Sequence, residues 1–573
     1  MSLLTDVEAR IAQARETVVP SWELPWASFA EFFKARVYDR ALVHRTFLSF
    51  YDECRVVRRV YTYGEFGVVV ERVVSFLHDR LGLNRGDRLA TVLFNHDLTV
   101  IVYFAAWTMG IAVVPINVEE PTERKRYILQ HSEVAAVLCW QEWYEEIVSL
   151  QDGLPSLREV VAVGDHGFLE CKEPERNGLR NGAAIPARPR LQATRLDDVA
   201  LIIYTSGTTG PPKGVILTAG NLLVDADAIA VWHGFSAMSR LMCVLPIHHV
   251  NGIVVTLVTP FYCKGSTVLN RRFRTGDFWT RVQEERVTCV SVVPTLLEFL
   301  LDAKDDGVRN RLEAFDGFIC GAGPLLKDTV ARFDDRFHLP IYHGYGLSET
   351  TCYACFLPHS LSPDEHRRWL MDHEFPSIGI PLRHNLMTIL NEDGTQLPER
   401  ERGEICIRGA TVCAGYLKRE DANAAAFECG WFRSGDEGFY LADARGRSFF
   451  FISGRLKELI IRGGVNISPL EIDDALRSHP GVQFAMAVPF EHRYYGEEIA
   501  AYIVPKDADA PPTEGDLAAH CRTRLPFSKR PKVLVMGREI PYTSTGKPKR
   551  LELKAQLAAR LHAYRDIQFR DSS

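Results

Sequence analysis

At 573 residues, the chain is several times the size of a typical single domain, so it should bury a large core and divide into at least two folded units. Hydrophobic residues at 46% and charged residues at 24% are ordinary globular values, which exclude a disordered, collagen-like or polytopic membrane chain. The 67 Lys and Arg nearly balance 73 Asp and Glu, for a formal charge of -6 without a long basic block, so nucleic acid is not an expected partner.

The opening stretch MSLLTDVEARIAQARETVV alternates apolar and charged residues at helical spacing and lacks the basic start and apolar block of a signal peptide. Thirteen cysteines without a regular framework suit a reducing compartment, and a cytoplasmic location is the expectation. Cys352 and Cys355 form the only close pair; no further Cys or His spacing completes a zinc set, and they read as buried thiols near a pocket. From about Tyr61 onward, helical patterns such as 63–81 alternate with Val/Ile/Leu-rich strands at 88–94, 135–139 and 159–163. The uncharged run 98–116 approaches membrane length, but Gly110 and Pro115 break it. It reads as a buried helix ending near Gly110 followed by a short buried strand, with no membrane span. Residues 170–197, rich in Arg, Pro, Gly and Asn, read as a surface loop or linker before a strand at 199–204. A second series runs from 240 to 320 and includes strands at 289–293 and 317–320.

This alternation predicts an α/β fold: a large N-terminal domain, 1–456, with layered, mostly parallel sheets and helices. Around Arg455 the composition changes. Residues 449–452 read as a last strand, and 457–573 as a small mobile α+β C-terminal domain with strands at 483–488 and 498–504 and a helix at 513–525. The hinge is placed at Lys457.

The strand at 199–204 runs into Thr205-Ser206-Gly207-Thr208-Thr209-Gly210-Pro211-Pro212-Lys213-Gly214. Hydroxyls, close-approach glycines and one Lys behind a buried strand suit a loop that wraps a polyphosphate through backbone N–H groups and side-chain donors. It is not the ordinary P-loop, because Pro212 stands where a second Gly is required and Gly214 where Ser or Thr would follow the Lys. Residues 204–215 resemble the signature loop of the adenylate-forming superfamily, which includes acyl- and aryl-CoA synthetases, adenylation domains of peptide synthetases and firefly luciferase. Further motifs of that family follow in its order, so the resemblance covers about 61–553.

Gly344-Tyr345-Gly346-Leu347-Ser348-Glu349-Thr350 resembles the family's loop that holds adenine and magnesium. The residue types suit that role: glycines let a purine lie against the backbone, Tyr345 offers a stacking face, Ser348 can donate to the α-phosphate, and Glu349 is a hard oxygen ligand for Mg²⁺. Gly321-Ala322-Gly323 resembles the segment facing adenine and the acyl pocket. Trp431-Phe432-Arg433-Ser434-Gly435-Asp436 resembles the ribose-binding motif, with Asp436 accepting from the sugar hydroxyls and Arg455 as a cationic donor to the same sugar. Thr543-Ser544-Thr545-Gly546-Lys547 resembles the catalytic-lysine motif. The resemblance implies that the Lys547 ammonium bridges the attacking carboxylate and the α-phosphate during displacement of pyrophosphate.

In the family the small domain rotates on its hinge after adenylation, and Gly463-Gly464 matches the loop that lines a tunnel for the thiol arm, where missing side chains leave room. The resemblance therefore implies an enzyme using ATP, Mg²⁺ and coenzyme A that makes an acyl-adenylate and then an acyl-CoA. A phosphopantetheine carrier protein, an amine or another acceptor is the alternative, and a non-catalytic nucleotide-binding relative is a further one. Pro246-Ile247-His248-His249-Val250-Asn251-Gly252 matches the segment that places His249 beside the incoming carboxylate. No Asp occurs between Met242 and Gly265, which disfavours an amino-acid substrate. Fatty, aryl, small carboxylic and unusual oxyacids stay open, as does monomer against homodimer.

Overall fold

A computed structural model of the chain describes residues 2–19, 22–52, 58–164, 167–168, 191–205, 211–303, 312, 314–542 and 548–569. The first glycine-rich motif beyond Thr205 (206–210) and Lys547 with its preceding motif residues (543–546) lie outside these, as does most of the 170–197 stretch.

Two sheets form the large part of the molecule. One has seven strands in the order 167–168, 159–164, 136–140, 88–92, 112–115, 199–205, 213–218. Its five central strands run parallel, and each edge adds an antiparallel strand. The other has thirteen strands; its parallel run is 46–51, 266–270, 240–243, 289–292, 317–320, 341–345. From there it continues through 355–356 and 377–381 into an antiparallel group, 448–455, 432–442, 403–409 and 385–390. The parallel centres follow from the strand–helix alternation, since a crossover helix returns the chain to the same end of the sheet.

The predicted buried helix is Asp97–Thr108, every residue of which is buried, followed by the strand Ala112–Pro115. Gly110, at φ 70, makes the turn between them. Because the helix is apolar all round, it has no solvent face, and one hydrophobic core joins it to both sheets: Leu89, Leu138 and Leu201 of the smaller, Phe47, Leu241 and Ile319 of the larger. Burying side chains such as Tyr103, Phe104 and Trp107 stabilises this interface by roughly 1.5–3 kcal/mol each. Helix Tyr63–Ser75 begins where the sequence pattern begins, at a capping box between Thr62 and Glu65. The opening helix is Ser2–Ala14, and it packs on the segments Glu420–Ala426 and Glu428–Gly430. Among the described residues no helix is long and apolar enough to cross a membrane.

The C-terminal part has its own sheet, in which Val482–His492 and Gly496–Pro505 form the longest antiparallel pair. Two hydrophobic clusters belong to it alone, one around Ile460, Ile472 and Leu517 and one around Met486, Val535 and Leu553. Lys457 lies in the short turn Leu456–Glu458 that leads out of strand Ser448–Arg455.

Candidate active site

Strands 199–205 and 213–218 form a hairpin in which Thr205 pairs with Lys213, so the glycine-rich motif is the hairpin's connection. Backbone bonds from Leu417 N–H to Gly214 O (2.8 Å), Ile216 N–H to Gly415 O (3.0 Å) and Ala414 N–H to Ile216 O (2.8 Å) stitch the second strand to residues 414–417. This brings Tyr416 beside Lys213, whose ammonium lies 4.6 Å from the centre of the Tyr416 ring. The Tyr416 hydroxyl donates to Glu349 Oε1 at 2.8 Å, and Cys413 N–H donates to the Glu349 carbonyl at 2.8 Å. Partial burial lowers the Lys213 pKa from its ordinary value, with the Glu349 charge acting the other way. A cation and a carboxylate thus face one space, joined through an aromatic ring that the sequence motifs did not mark.

Strand Ile341–Tyr345 delivers the second motif, and Glu349 sits in the short turn Ser348–Thr350 after it. Gly346 is required by packing: a Cβ there would lie 2.0 Å from the Cys352 carbonyl oxygen. Tyr345 is buried, and its hydroxyl donates to Asp436 Oδ2 at 2.6 Å. Arg455 Nε lies 3.3 Å from Asp436 Oδ1. Strand pairing explains this meeting, because Asp436 is the register partner of Arg455 in the antiparallel group. Burial, then the Asp436 charge, pushes the Tyr345 hydroxyl well above its ordinary pKa, so it stays a donor.

Asn95 ties down the His-bearing segment. Its side chain donates to Leu245 O (2.9 Å) and Asn270 O (3.1 Å) and accepts from Ile247 N–H (2.8 Å). Gly252 lets the next turn fold back, since a Cβ there would meet Pro246 O at 2.5 Å. Just before it Asn251 donates to the Tyr353 hydroxyl at 3.1 Å and accepts from Ser291 Oγ at 2.6 Å, so Asn251 and Tyr353 form one polar wall that Ser291 braces from behind. Behind that wall the fully buried Asp225 accepts from Tyr353 N–H at 3.3 Å, and burial raises its pKa well above the carboxylate range.

Lys213, Tyr416, Glu349, Asp436, Asn251 and Tyr353 line one cleft of about 1310 Å³, and Asn95, Ser291 and Asp225 lie behind its wall. Of the residues predicted from sequence, Thr205, Lys213, His249, Ala322, Gly344, Tyr345, Gly346, Ser348, Glu349, Asp436 and Arg455 face it. Gly321 does not; it packs against Tyr353, whose hydroxyl would lie 2.6 Å from a Cβ at that position. Ser206, Gly207, Thr208, Thr209 and Lys547 fall outside the described residues. Tyr542 and Pro548, which bracket the Lys547 segment and bridge one another, both line the cleft, whereas Gly463 and Gly464 do not. Cys352 faces the cleft and Cys355 is buried next to it; no cluster of three or more His, Cys, Asp or Glu able to hold a metal occurs among the described residues. Tyr416, Asn95 and Asp225 escaped the sequence reading: none lies in a glycine-rich string, and an isolated Tyr, Asn or Asp carries no spacing signal.

Residues 39–417 match the model of the AMP-binding enzyme family and residues 471–547 that of the AMP-binding enzyme C-terminal domain. The chain is 35% identical to sulfoacetate–CoA ligase of Cupriavidus necator, over 82% of this chain and 88% of that one. It is 32% identical to 2-succinylbenzoate–CoA ligase of Bacillus licheniformis, over 82% and 90% of the two chains. Among solved structures, o-succinylbenzoate coenzyme A synthetase of Bacillus subtilis in complex with ATP and magnesium superposes with a TM-score of 0.76 at 26% identity, covering 91% of this chain and 99% of that one. The chain belongs to the AMP-binding enzyme family, within the adenylate-forming superfamily. It has that superfamily's large N-terminal and smaller C-terminal domains, and it is an acid–thiol ligase that uses ATP and works through an acyl-adenylate.

Proposed function

We propose that the chain activates a short, polar carboxylic acid and transfers its acyl group to coenzyme A, with the small domain adopting a separate placement for each half-reaction. The observation that carries the substrate class is the Asn251–Tyr353 wall of the cleft, braced from behind by Ser291. An amide has two N–H donors; Asn251 uses one on Tyr353, which leaves the other for a substrate oxygen. Methylenes of a long alkyl chain laid against that amide would leave it without a partner, at a cost of about 1–3 kcal/mol. Sulfoacetate and 2-succinylbenzoate, after which the two relatives are named, both carry oxygen-rich groups besides the reacting carboxylate.

In this reading Asp436 and Arg455 hold the ribose, Tyr345 covers the adenine, and Ser348 with the 205–213 hairpin loop and Lys213 takes the phosphates. His249 borders the incoming carboxylate, and Glu349 would hold Mg²⁺. Glu349, with no cluster of three or more possible metal ligands among the described residues, suits that ion, which usually keeps waters and substrate phosphate oxygens in its shell. When bound, Mg²⁺ neutralises charge on the phosphates. Attack by the acid's carboxylate oxygen on the α-phosphorus forms the acyl-phosphate bond and expels pyrophosphate; Lys547 offsets the repulsion between the two anions. The small domain, from the hinge at Lys457, then turns so that Gly463 and Gly464 admit the thiol. Sulfur attacks the acyl carbon, AMP leaves, and the thiol proton passes to solvent. The cleft-facing positions of Tyr542 and Pro548, with Gly463 and Gly464 off the cleft, support an adenylating placement.

Acid-dependent exchange of labelled pyrophosphate into ATP, run over sulfonated, dicarboxylic, aryl and long-chain acids and repeated with coenzyme A, tests the substrate class. Exchange confined to long-chain acids would overturn it, and exchange without thioester would overturn coenzyme A as acceptor. Lys547→Ala should abolish exchange and spare thioester formation from supplied acyl-adenylate; equal loss of both would overturn the two placements.

A further inference from the structure

The small domain touches the large one through a group that no motif marks. Glu298, on helix Pro294–Asp302 of the large domain, receives Arg477 from the end of helix Pro469–Arg477 of the small domain, Nη2 to Oε1 at 2.7 Å. Its other oxygen takes Arg332 at 2.6 Å, and Thr329 Oγ1 donates to the same Oε1 that Arg477 reaches. The Arg477 side chain is 10% exposed and that of Glu298 20%, so the pair is largely withdrawn from water and from screening by salt. Arg477 also lies over the Phe484 ring at 5.3 Å, and that ring meets Tyr542 edge-on at 6.3 Å between centres. Tyr542 is the last described residue before the Lys547 segment, and its bridge to Pro548 closes the base of that segment. One carboxylate of the large domain is therefore connected, through a cation and two rings, to the base of the lysine-bearing segment.

We propose that Glu298 is a positioning residue that seats the small domain for adenylation alone. The inference rests on the reading that this domain brings Lys547 to the cleft for the first half-reaction and withdraws it for the second. Any rotation about Lys457 that carries helix Pro469–Arg477 off the large domain parts Arg477 from Glu298, so the ion pair stabilises one placement and is absent from the other. Arg332 and Thr329 stay with Glu298 on the large domain and keep it oriented and partly compensated when Arg477 departs. A contact that favours one of two states shifts their populations by its differential free energy, and its removal transfers the gain to the other state.

The test measures both half-reactions in the full chain carrying Glu298→Gln, Arg477→Gln, both together, or Arg332→Gln. Loss of a half-buried pair should slow pyrophosphate exchange about tenfold in either single variant. Thioester formation from supplied acyl-adenylate should hold or rise, and the double variant should be no worse than one single, as expected if each residue acts through the other. Arg332→Gln, which loosens Glu298 without removing its charge, should shift the ratio of the two half-reactions in the same direction as Glu298→Gln but by less. Equal loss of both half-reactions, additive losses in the double variant, or unchanged exchange would each overturn the proposal. Lys547→Ala measured alongside separates the failures: if it leaves exchange intact the two-placement reading falls, and if it abolishes exchange while Glu298→Gln changes nothing, only the role of Glu298 falls. Arg477→Lys guards against misfolding, since it keeps the charge and should retain more exchange than Arg477→Gln.

Discussion

Tyr345→Phe isolates one hydrogen bond from the stacking ring that carries it. The change removes the hydroxyl that reaches Asp436 at 2.6 Å and leaves the aromatic face in place. A hydrogen bond to a charged group contributes roughly 1.5–3 kcal/mol. Arg455 stays as a second partner of Asp436 at 3.3 Å, so the lower end applies, about 1.5 kcal/mol. Through the ribose this should appear as an approximately tenfold fall in kcat/KM for ATP in pyrophosphate exchange, carried mainly by KM. The acyl-adenylate keeps the same ribose, so its affinity in the isolated second half-reaction should weaken by a similar factor, unlike the outcome for Lys547→Ala. An ATP saturation curve within twofold of the unaltered chain would refute the assignment of Asp436 to the sugar.

Asn251→Ala should lower kcat/KM for short polar acids about tenfold while raising it for alkyl acids, read from the same exchange assay over an acid panel. Burial disfavours the Asp225 charge, so Asp225→Asn should leave the denaturation midpoint nearly unchanged, whereas Asp225→Leu strips the acceptor from Tyr353 N–H and should cost about 1–3 kcal/mol. Burial lowers the pKa of His233 from 6.5 to about 3 and of His343 from 6.5 to about 4. The unfolded chain takes up these protons first, so stability is unaffected above pH 6.5 and falls as pH drops below it, by about 2 kcal/mol per histidine at pH 5. Urea midpoints at pH 7 and 5 should show this drop, and His233→Asn should diminish it.

The cleft was legible where function forces unusual residue strings. Gly344-Tyr345-Gly346 stands out because close packing needs glycine and Gly435-Asp436 because a φ of 74 does, and both patterns survive without knowledge of the fold. The strand Gly317–Cys320 and the helix Asp97–Thr108 with its following strand were legible for a different reason: an uninterrupted apolar run has few other places to go. What stayed hidden depends on contacts between distant segments. Tyr416 meets Glu349 across 67 positions and Asn95 meets Ile247 across 152, and neither partner advertises the other. The edge pair Thr46–Tyr51 and Arg58–Thr62 lay before the stretch in which alternation becomes regular. Of the antiparallel continuation of the large sheet only the strand at 449–452 was legible; the others lie in mixed polar and apolar stretches without the continuous apolar runs of the parallel centre. Gly321 illustrates the converse: a glycine in a recognisable string, needed for its fit to Tyr353 and not for facing the cleft.

Helix Asp97–Thr108, buried on every side between two sheets, has a mechanical consequence. Sliding one sheet over the other would pull close-packed aromatic rings past each other and open voids that no water could fill favourably. On the proposed two-placement reading, the two walls of the cleft move as a single block and the small domain beyond Lys457 accommodates turnover. Crosslinking that domain to the block should trap whichever half of the catalytic cycle it was caught in.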